Sequence, residues 1–552
     1  MKTTLSATCA LAAAVLLSSA AFAQAGTSTV ETGPQPTAAA TASFPFEYRS
    51  IDGSGNNLSH PEWASAGITL LRRIPAAYDN GADEPAGGNR ASAREISNLC
   101  VAQSKFKPNP ARVTDFVWQW GQFLDHDIDL TPTADPAESF NVPVPAGDAW
   151  FDPDGTGVEV IFFDRSTYRM VDGVRQQLNA ITGFIDASNV YGSDEVRART
   201  LRTLDGTGRL RTSAGDLLPF NEEGLPNAPD SGSQYFLAGD VRANEQVGLT
   251  AMHTLFVREH NHWAEQIHAA QPAASDDAVY EMARAIVIAE MQSITYHEFL
   301  PVLLGPRTLS PYRGYNPQAN PGIDNIFSTA VYRFGHSMLS PQLLRLDDHN
   351  REISAGHLSL ANSFFNPAEI LAEGIDPILR GLARQRAQNI DSLLVPQVRN
   401  FLFGPPGAGG FDLAALNIQR GRDHGIPSYN EVRAAYGLHR LTSFDQVNRD
   451  PAVWNKLAAA YATVDDIDAW VGVLAERHAP GALVGPTIRA VLKDQFERLR
   501  DGDRFWYQGY LPPGLVRLVE SQNLARIIRR NTGIGSELPG SVWRRPPQPP
   551  KG

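Results

Sequence analysis

Three short segments hold the residue types that proton transfer and ligand donation require. In Trp118-Gln119-Trp120-Gly121-Gln122-Phe123-Leu124-Asp125-His126-Asp127-Ile128-Asp129 a helical pattern runs into a cluster of charge. On a helix Gln122 and His126 share a face, while Asp125 and Asp127 project about 100° to either side of the histidine. One segment can thus address three targets with an imidazole suited to acid–base work, or it can be a solvated acidic helix end with an incidental histidine. In Asn325-Ile326-Phe327-Ser328-Thr329-Ala330-Val331-Tyr332-Arg333-Phe334-Gly335-His336, Phe327, Ala330, Val331 and Phe334 form an apolar stripe. Arg333 and His336, three apart, share a different face. A cation one turn from a neutral imidazole suits a ligand that carries acidic groups and needs a nitrogen donor; a plain core or surface histidine is the alternative. In Gly239-Asp240-Val241-Arg242-Ala243-Asn244-Glu245-Gln246 the three-residue step from Arg242 to Glu245 predicts one side of a helical turn, or an ordinary exposed pair.

The elements that must carry these residues are mainly helical. Leu249, Met252, Leu255, Phe256 and Trp263 recur at spacings of three, four or seven, as do Ile286, Ile288, Met291 and Ile294, whereas alternating runs are scarce. Proline and glycine mark long connections, as in Gly404-Pro405-Pro406-Gly407-Ala408-Gly409-Gly410, which lacks the G-x-G-x-x-G spacing of a dinucleotide site. His297-Glu298 is followed by Phe299-Leu300-Pro301 and is not a zinc peptidase motif; no P-loop and no fixed-period repeat is present.

At the N-terminus, Lys2, the apolar run Ala10–Leu17 and Ala21-Phe22-Ala23 read as a signal peptide over residues 1–23, which predicts a secreted protein, extracellular or periplasmic. Residues 24–44 read as a disordered leader, 45–540 as one large domain and 541–552 as a proline-rich tail. No later stretch is long and apolar enough for a membrane helix. The net charge of −12 becomes −13 once the signal, with one lysine and no acid, is removed, which argues against nucleic acid as a partner. Of two cysteines, Cys9 leaves with the signal and Cys100 stays alone, so no disulfide framework is built.

Taken together, these segments resemble the animal-type haem peroxidases of the peroxidase–cyclooxygenase superfamily, which includes myeloperoxidase, lactoperoxidase and peroxinectin-like proteins, a bacterial secreted member being expected here. The likeness runs from Tyr48-Arg49-Ser50-Ile51-Asp52-Gly53 to Leu524-Ala525-Arg526-Ile527-Ile528-Arg529-Arg530-Asn531-Thr532-Gly533-Ile534. It implies a mainly α fold with haem buried among central helices and little β structure. By this resemblance His126 is the distal histidine, with Gln122 and Arg242 beside it as catalytic groups. Asp125 and Glu245 would ester-link a haem b derivative, His336 would ligate the haem iron, and Asn417 would accept a hydrogen bond from the His336 ring. Arg333 would meet a haem propionate, with Arg420 a weaker candidate; His424 is read as structural.

Thr182-Gly183-Phe184-Ile185-Asp186-Ala187-Ser188 places oxygen donors at alternate positions of what reads as an extended loop. Within the family resemblance this becomes a Ca2+ site formed by Thr182, Phe184, Asp186 and Ser188 and completed by Asp127, which would pin the helix of His126. The implied activity is reduction of hydrogen peroxide through a ferryl intermediate, with iodide, bromide, thiocyanate or small phenols as donors and an antimicrobial use. Gln246 stands where myeloperoxidase has a methionine linked to haem, which disfavours chloride. Two alternatives are a fatty-acid dioxygenase and a peroxinectin-like adhesive protein. The first needs a tyrosine three residues before His336, where Arg333 stands, Tyr332 being rotated away by about 100°; the second finds no Arg-Gly-Asp or Lys-Gly-Asp sequence.

Overall fold

The computed structural model describes residues 47–545; residues 1–46, where a signal peptide and a leader are expected, and residues 546–552 lie outside the described residues. Helix α1, Phe116–Ile128, is enclosed on nearly every side, and all of its residues except Gln122 and Asp125 are buried. A helix with that pattern belongs at the centre of a domain. Trp120 packs against Phe123, Phe256 and Trp543, with centroids 5.8 to 6.1 Å apart.

Helix α2, Val247–Ala270, follows an extended Gln246, whose side chain accepts from the Gly248 N–H and so caps the helix. Helix α3, Asp276–Ile294, opens on Ser275, which accepts from the Ala278 N–H, with Asp276 and Asp277 in the first turn, where the helix dipole favours negative charge. The periodic residues of both helices are buried, and the two helices pack on each other.

Strands are short. β1 (Ile68–Thr69), β2 (Tyr168–Val171) and β3 (Val174–Asn179) form an antiparallel sheet in the order β1-β3-β2, with Ile68 opposite Asn179 and Tyr168 opposite Gln177. Its service to the site is at Asn179. That side chain donates to the Ile128 carbonyl at 2.8 Å and accepts from the Leu130 N–H at 2.9 Å, closing the end of α1.

The segment carrying His336 departs from a plain α-helix. Phe327–Val331 is a π turn that tightens into a 3-10 turn over Tyr332–Met338. Residues three apart eclipse in a 3-10 turn, so Arg333 and His336 do share a face. Helix α4, Leu413–Asp423, capped by Asp412 at the Ala414 and Ala415 N–H groups, supplies Asn417 and Arg420.

Residues 541–545, read from the sequence as the start of a tail, are packed. Val542 and Trp543 are buried, Thr114 Oγ1 donates to the Val542 carbonyl at 2.5 Å, and the Trp543 indole donates to Glu298 at 2.8 Å. The apolar pair inside Ser541-Val542-Trp543 outweighs the proline-rich composition that follows it. Among the described residues no helix is long and apolar enough to cross a membrane.

Candidate active site

One cavity of about 520 Å³ collects most of the predicted residues. Gln122, Asp125 and His126 of α1 line one wall with Arg242, Glu245 and Gln246; Arg333, His336, Asn417 and Arg420 line the other. The two histidines thus face one space from segments far apart in sequence. Asp127 and residues 182–188 do not reach it; they form a second cluster behind α1.

The turn that brings Arg242 and Glu245 is not helical, as the spacing suggested, because the extended Gln246 delays the start of α2 to Val247. A single reverse turn, closed by the Glu245 N–H on the Arg242 carbonyl at 2.8 Å, still aims both side chains at the cavity. Gly239 starts the approach: a Cβ there would collide with the Ser188 carbonyl, so this turn and the 182–188 loop pack backbone to backbone.

On the His126 wall, Nε2 lies 3.6 Å from Glu245 Oε2 and Nδ1 lies 3.6 Å from Asp240 Oδ1. Arg242 Nη1 is 3.8 Å from Asp125 Oδ2. Burial first, then the Arg242 charge, holds the His126 pKa well below the ordinary imidazole value, so the ring is neutral at pH 7. Asp125 and Glu245 expose 29% and 26% of their side chains, and that surface faces the cavity. Burial, and then repulsion from Asp129, pushes Asp125 up to about 7; burial also raises Glu245. Gln246 Nε2 donates to Gln119 Oε1 at 2.7 Å and Gln122 Oε1 at 3.0 Å, an amide ladder that fixes Gln122.

Opposite, burial and the neighbouring Arg333 charge lower His336 to about 3, so this imidazole too is neutral. Its Nδ1 is 2.8 Å from Asn417 Nδ2, while Asn417 Oδ1 accepts from Arg333 Nη1 at 3.2 Å. The amide therefore stands the other way round from the acceptor role the resemblance implies; a half-turn of its plane puts the oxygen on the ring. In either orientation Nδ1 is engaged and Nε2 is left for a ligand. Arg333 also donates to the Ser328 carbonyl at 3.0 Å and has no ion pair among the described residues. This half-buried cation on the cavity lining, attracted by Asp125, Asp129 and Glu245 only from beyond ion-pair distance, can take an anionic group of a ligand. Arg420 differs, because Asp423 Oδ2 at 3.0 Å already balances it, with Ser166 Oγ at 2.7 Å and the Phe163 ring beneath.

Tyr332 lines the cavity, although a uniform helix would turn it away; the change from π to 3-10 winding occurs at this residue. His424 is fully engaged, Nδ1 with Thr329 and Asn325 at 2.8 Å and Nε2 with Ser166 at 2.7 Å.

In the second cluster Thr182 Oγ1 donates to Asp186 Oδ1 at 2.8 Å, and Ser188 Oγ donates to the Asp127 carbonyl at 2.8 Å. The loop bends rather than extends, with Ala187 at φ 59°, and Phe184 is buried beneath Arg49. Asp127 Oδ2 and Asp186 Oδ2 are buried without a hydrogen-bond partner among the described residues. Burial raises both carboxyls, Asp186 to about 6, and the approach of Asp186 raises Asp127 further. Two buried, mutually repelling carboxylates with free oxygens fit a hard cation.

The residues that sequence reasoning passed over are Asp240, Gln119 and His253, all buried behind the first wall. Asp240 had a signal, its place two residues before Arg242; the other two had none.

The animal haem peroxidase family model matches residues 48–543. The peroxidasin homolog of Mus musculus is 37% identical over 91% of the chain, and the chain spans 38% of that relative's length. Peroxinectin A of Dictyostelium discoideum is 35% identical over 90% of the chain and 96% of the relative. The solved structure of peroxidase A from Dictyostelium discoideum superposes with a TM-score of 0.85 at 34% identity, covering 90% of this chain and all of that one. With two neutral imidazoles lining a single cavity and the family match running over residues 48–543, the chain belongs to the animal haem peroxidase family, the oxidoreductases whose cofactor is haem.

Proposed function

We propose that the protein is a secreted peroxidase that uses hydrogen peroxide to oxidise iodide, bromide, thiocyanate and small phenols. The observation that carries the reading is the pair His126 and His336, both neutral and lining one cavity from segments far apart in sequence, with Arg242 beside the first. When bound, haem supplies the electrons for O–O cleavage and stores the oxidising equivalents. His336 would hold its iron through Nε2, with Asn417 fixing the ring. His126 would accept a proton from one oxygen of hydrogen peroxide and return it to the departing oxygen, so that water leaves. Arg242 stabilises the negative charge that grows on that oxygen. Arg333, and more weakly Arg420, would take the propionates, and Asp125 and Glu245 would supply the two ester bonds. Asp127, Thr182, Phe184, Asp186 and Ser188 would bind Ca2+ and fix α1 from behind. Gln246 leaves no sulfur for a third link, which favours the more easily oxidised halides. Secretion rests on the signal sequence at residues 1–23.

The test is an absorption spectrum of the haem-supplied protein before and after extraction with acidic acetone. A Soret band that resists extraction is expected; no band at all overturns the reading, and complete extraction overturns the ester links alone. One observation favours a fatty-acid dioxygenase instead, the Tyr332 hydroxyl buried on the cavity wall. Oxygen uptake with a long-chain fatty acid, abolished by Tyr332→Phe, would establish that activity.

A further inference from the structure

Behind the first wall stands a carboxylate that touches neither the cavity nor the second cluster. Asp240 is 2% exposed. Its Oδ1 accepts from the backbone N–H and from Nε of Arg242, and its Oδ2 from Nη2, each at 2.8 Å. Nη2 also donates to the Asp129 carbonyl at 2.8 Å. The guanidinium is therefore held at two nitrogens and offers Nη1 to the cavity. The Asp240 N–H donates in turn to the Asn189 carbonyl at 3.1 Å, which ties the carboxylate to the backbone beside the 182–188 loop.

The same carboxylate faces His126. Its Oδ1 lies 3.6 Å from Nδ1, the ring nitrogen turned away from the cavity, while Nε2 lies on the Glu245 side. At 3.6 Å the contact is electrostatic, or bridged by a water, rather than a direct hydrogen bond. The charged and titratable groups around the ring are Arg242, Asp240, Glu245 and His253. Of these, only Asp240 sets a negative charge against Nδ1, and a negative charge there favours the tautomer with the proton on that nitrogen.

We propose that Asp240 is the positioning residue of this wall: one carboxylate anchors the Arg242 guanidinium and fixes His126 with its proton on Nδ1, leaving Nε2 free to accept a proton from hydrogen peroxide. This rests on the peroxidase reading above. A merely structural ion pair between Asp240 and Arg242 would affect stability without singling out one step of turnover.

The experiment compares haem-loaded wild type, Asp240→Asn, Asp240→Glu and His126→Ala by stopped flow. Three rates are followed: reaction with hydrogen peroxide, binding of cyanide by the Soret shift, and reduction of the peroxide-treated enzyme by iodide. Hydrogen cyanide must also give up its proton on binding, so it reports the wall without turnover. Asp240→Asn, equal in shape but uncharged, is expected to slow the peroxide and cyanide steps roughly 100-fold. The iodide step should stay within about two-fold, and Asp240→Glu should recover about ten-fold of the loss. Wild-type rates in Asp240→Asn, or a loss shared equally by the iodide step and not recovered by Asp240→Glu, would overturn the proposal. Should Asp240→Asn fail to fold, Asp240→Glu is compared with wild type. A loss confined to the peroxide and cyanide steps then supports the role, and unchanged rates reject it. Full peroxide reactivity in His126→Ala would reject the distal-base reading itself, whatever Asp240 does.

Discussion

Asn417 and His336 meet at 2.8 Å, side-chain amide to ring Nδ1, across 81 residues of sequence. The same amide accepts from Arg333, so one side chain sets the ring plane and the nearest cavity cation together. Asn417→Ala leaves the ring free to rotate about its side-chain bonds. Removing such a partner of a metal ligand costs roughly 10- to 100-fold in affinity. A haem titration followed at the Soret band should show that loss.

His126→Ala removes the proposed acid–base group and touches no element of the opposite wall. Haem uptake should match wild type, while the rate with hydrogen peroxide falls roughly 10²- to 10⁴-fold. Undiminished turnover would place the base elsewhere.

Gln246 has two tasks, capping α2 through the Gly248 N–H and holding Gln122 through the amide ladder. Gln246→Ala should lower stability by about 1 kcal/mol for the lost cap. It should also reduce iodide turnover more than phenol turnover, since Gln122 stands beside His126 where a small anion would approach. Melting temperature and the ratio of the two turnover rates check the two parts separately.

A chelator should destabilise the wild-type protein through the second cluster. Binding at a hundredfold excess over Kd contributes about 3 kcal/mol, and EGTA should remove that contribution. In Asp186→Asn the melting temperature should be insensitive to EGTA; equal sensitivity in both proteins would place the ion elsewhere.

Asp115, just before α1, predicts a pH effect of opposite sign to the usual one for a carboxylate. Burial pushes it up to about 7, despite a bond from Ser340 at 3.1 Å. The folded protein therefore holds a proton that the unfolded chain, with a pKa near 3.8, gives up. This contribution to stability is full below about pH 4 and is lost as pH rises through about 7. Asp115→Asn should match wild type at pH 4 and be more stable at pH 8, by on the order of 2 kcal/mol, in denaturant titrations at the two pH values.

Much of this site was legible because its residues sit at helical spacings: Gln122 with His126 and Arg333 with His336 face the cavity as the pattern required. What was not legible depends on local winding and long-range contact. The start of α2 at Val247 makes the Arg242 turn non-helical, and the π to 3-10 change at Tyr332 rotates that tyrosine into the wall. Asp240 shows its importance only when Arg242 and His126, more than a hundred residues apart in sequence, close around it. The packed Val542-Trp543 pair was hidden by the prolines that follow it.

That last pair has a bearing on how the protein is made. Trp543 completes the packing around Trp120, six residues before His126 on the same helix, and the Val542 carbonyl receives the Thr114 hydroxyl just ahead of that helix. The ribosome delivers these two residues after every residue that lines the cavity. Until they arrive the helix of His126 lacks one side of its seat, so the order of the catalytic wall waits on a tryptophan that never touches the cavity.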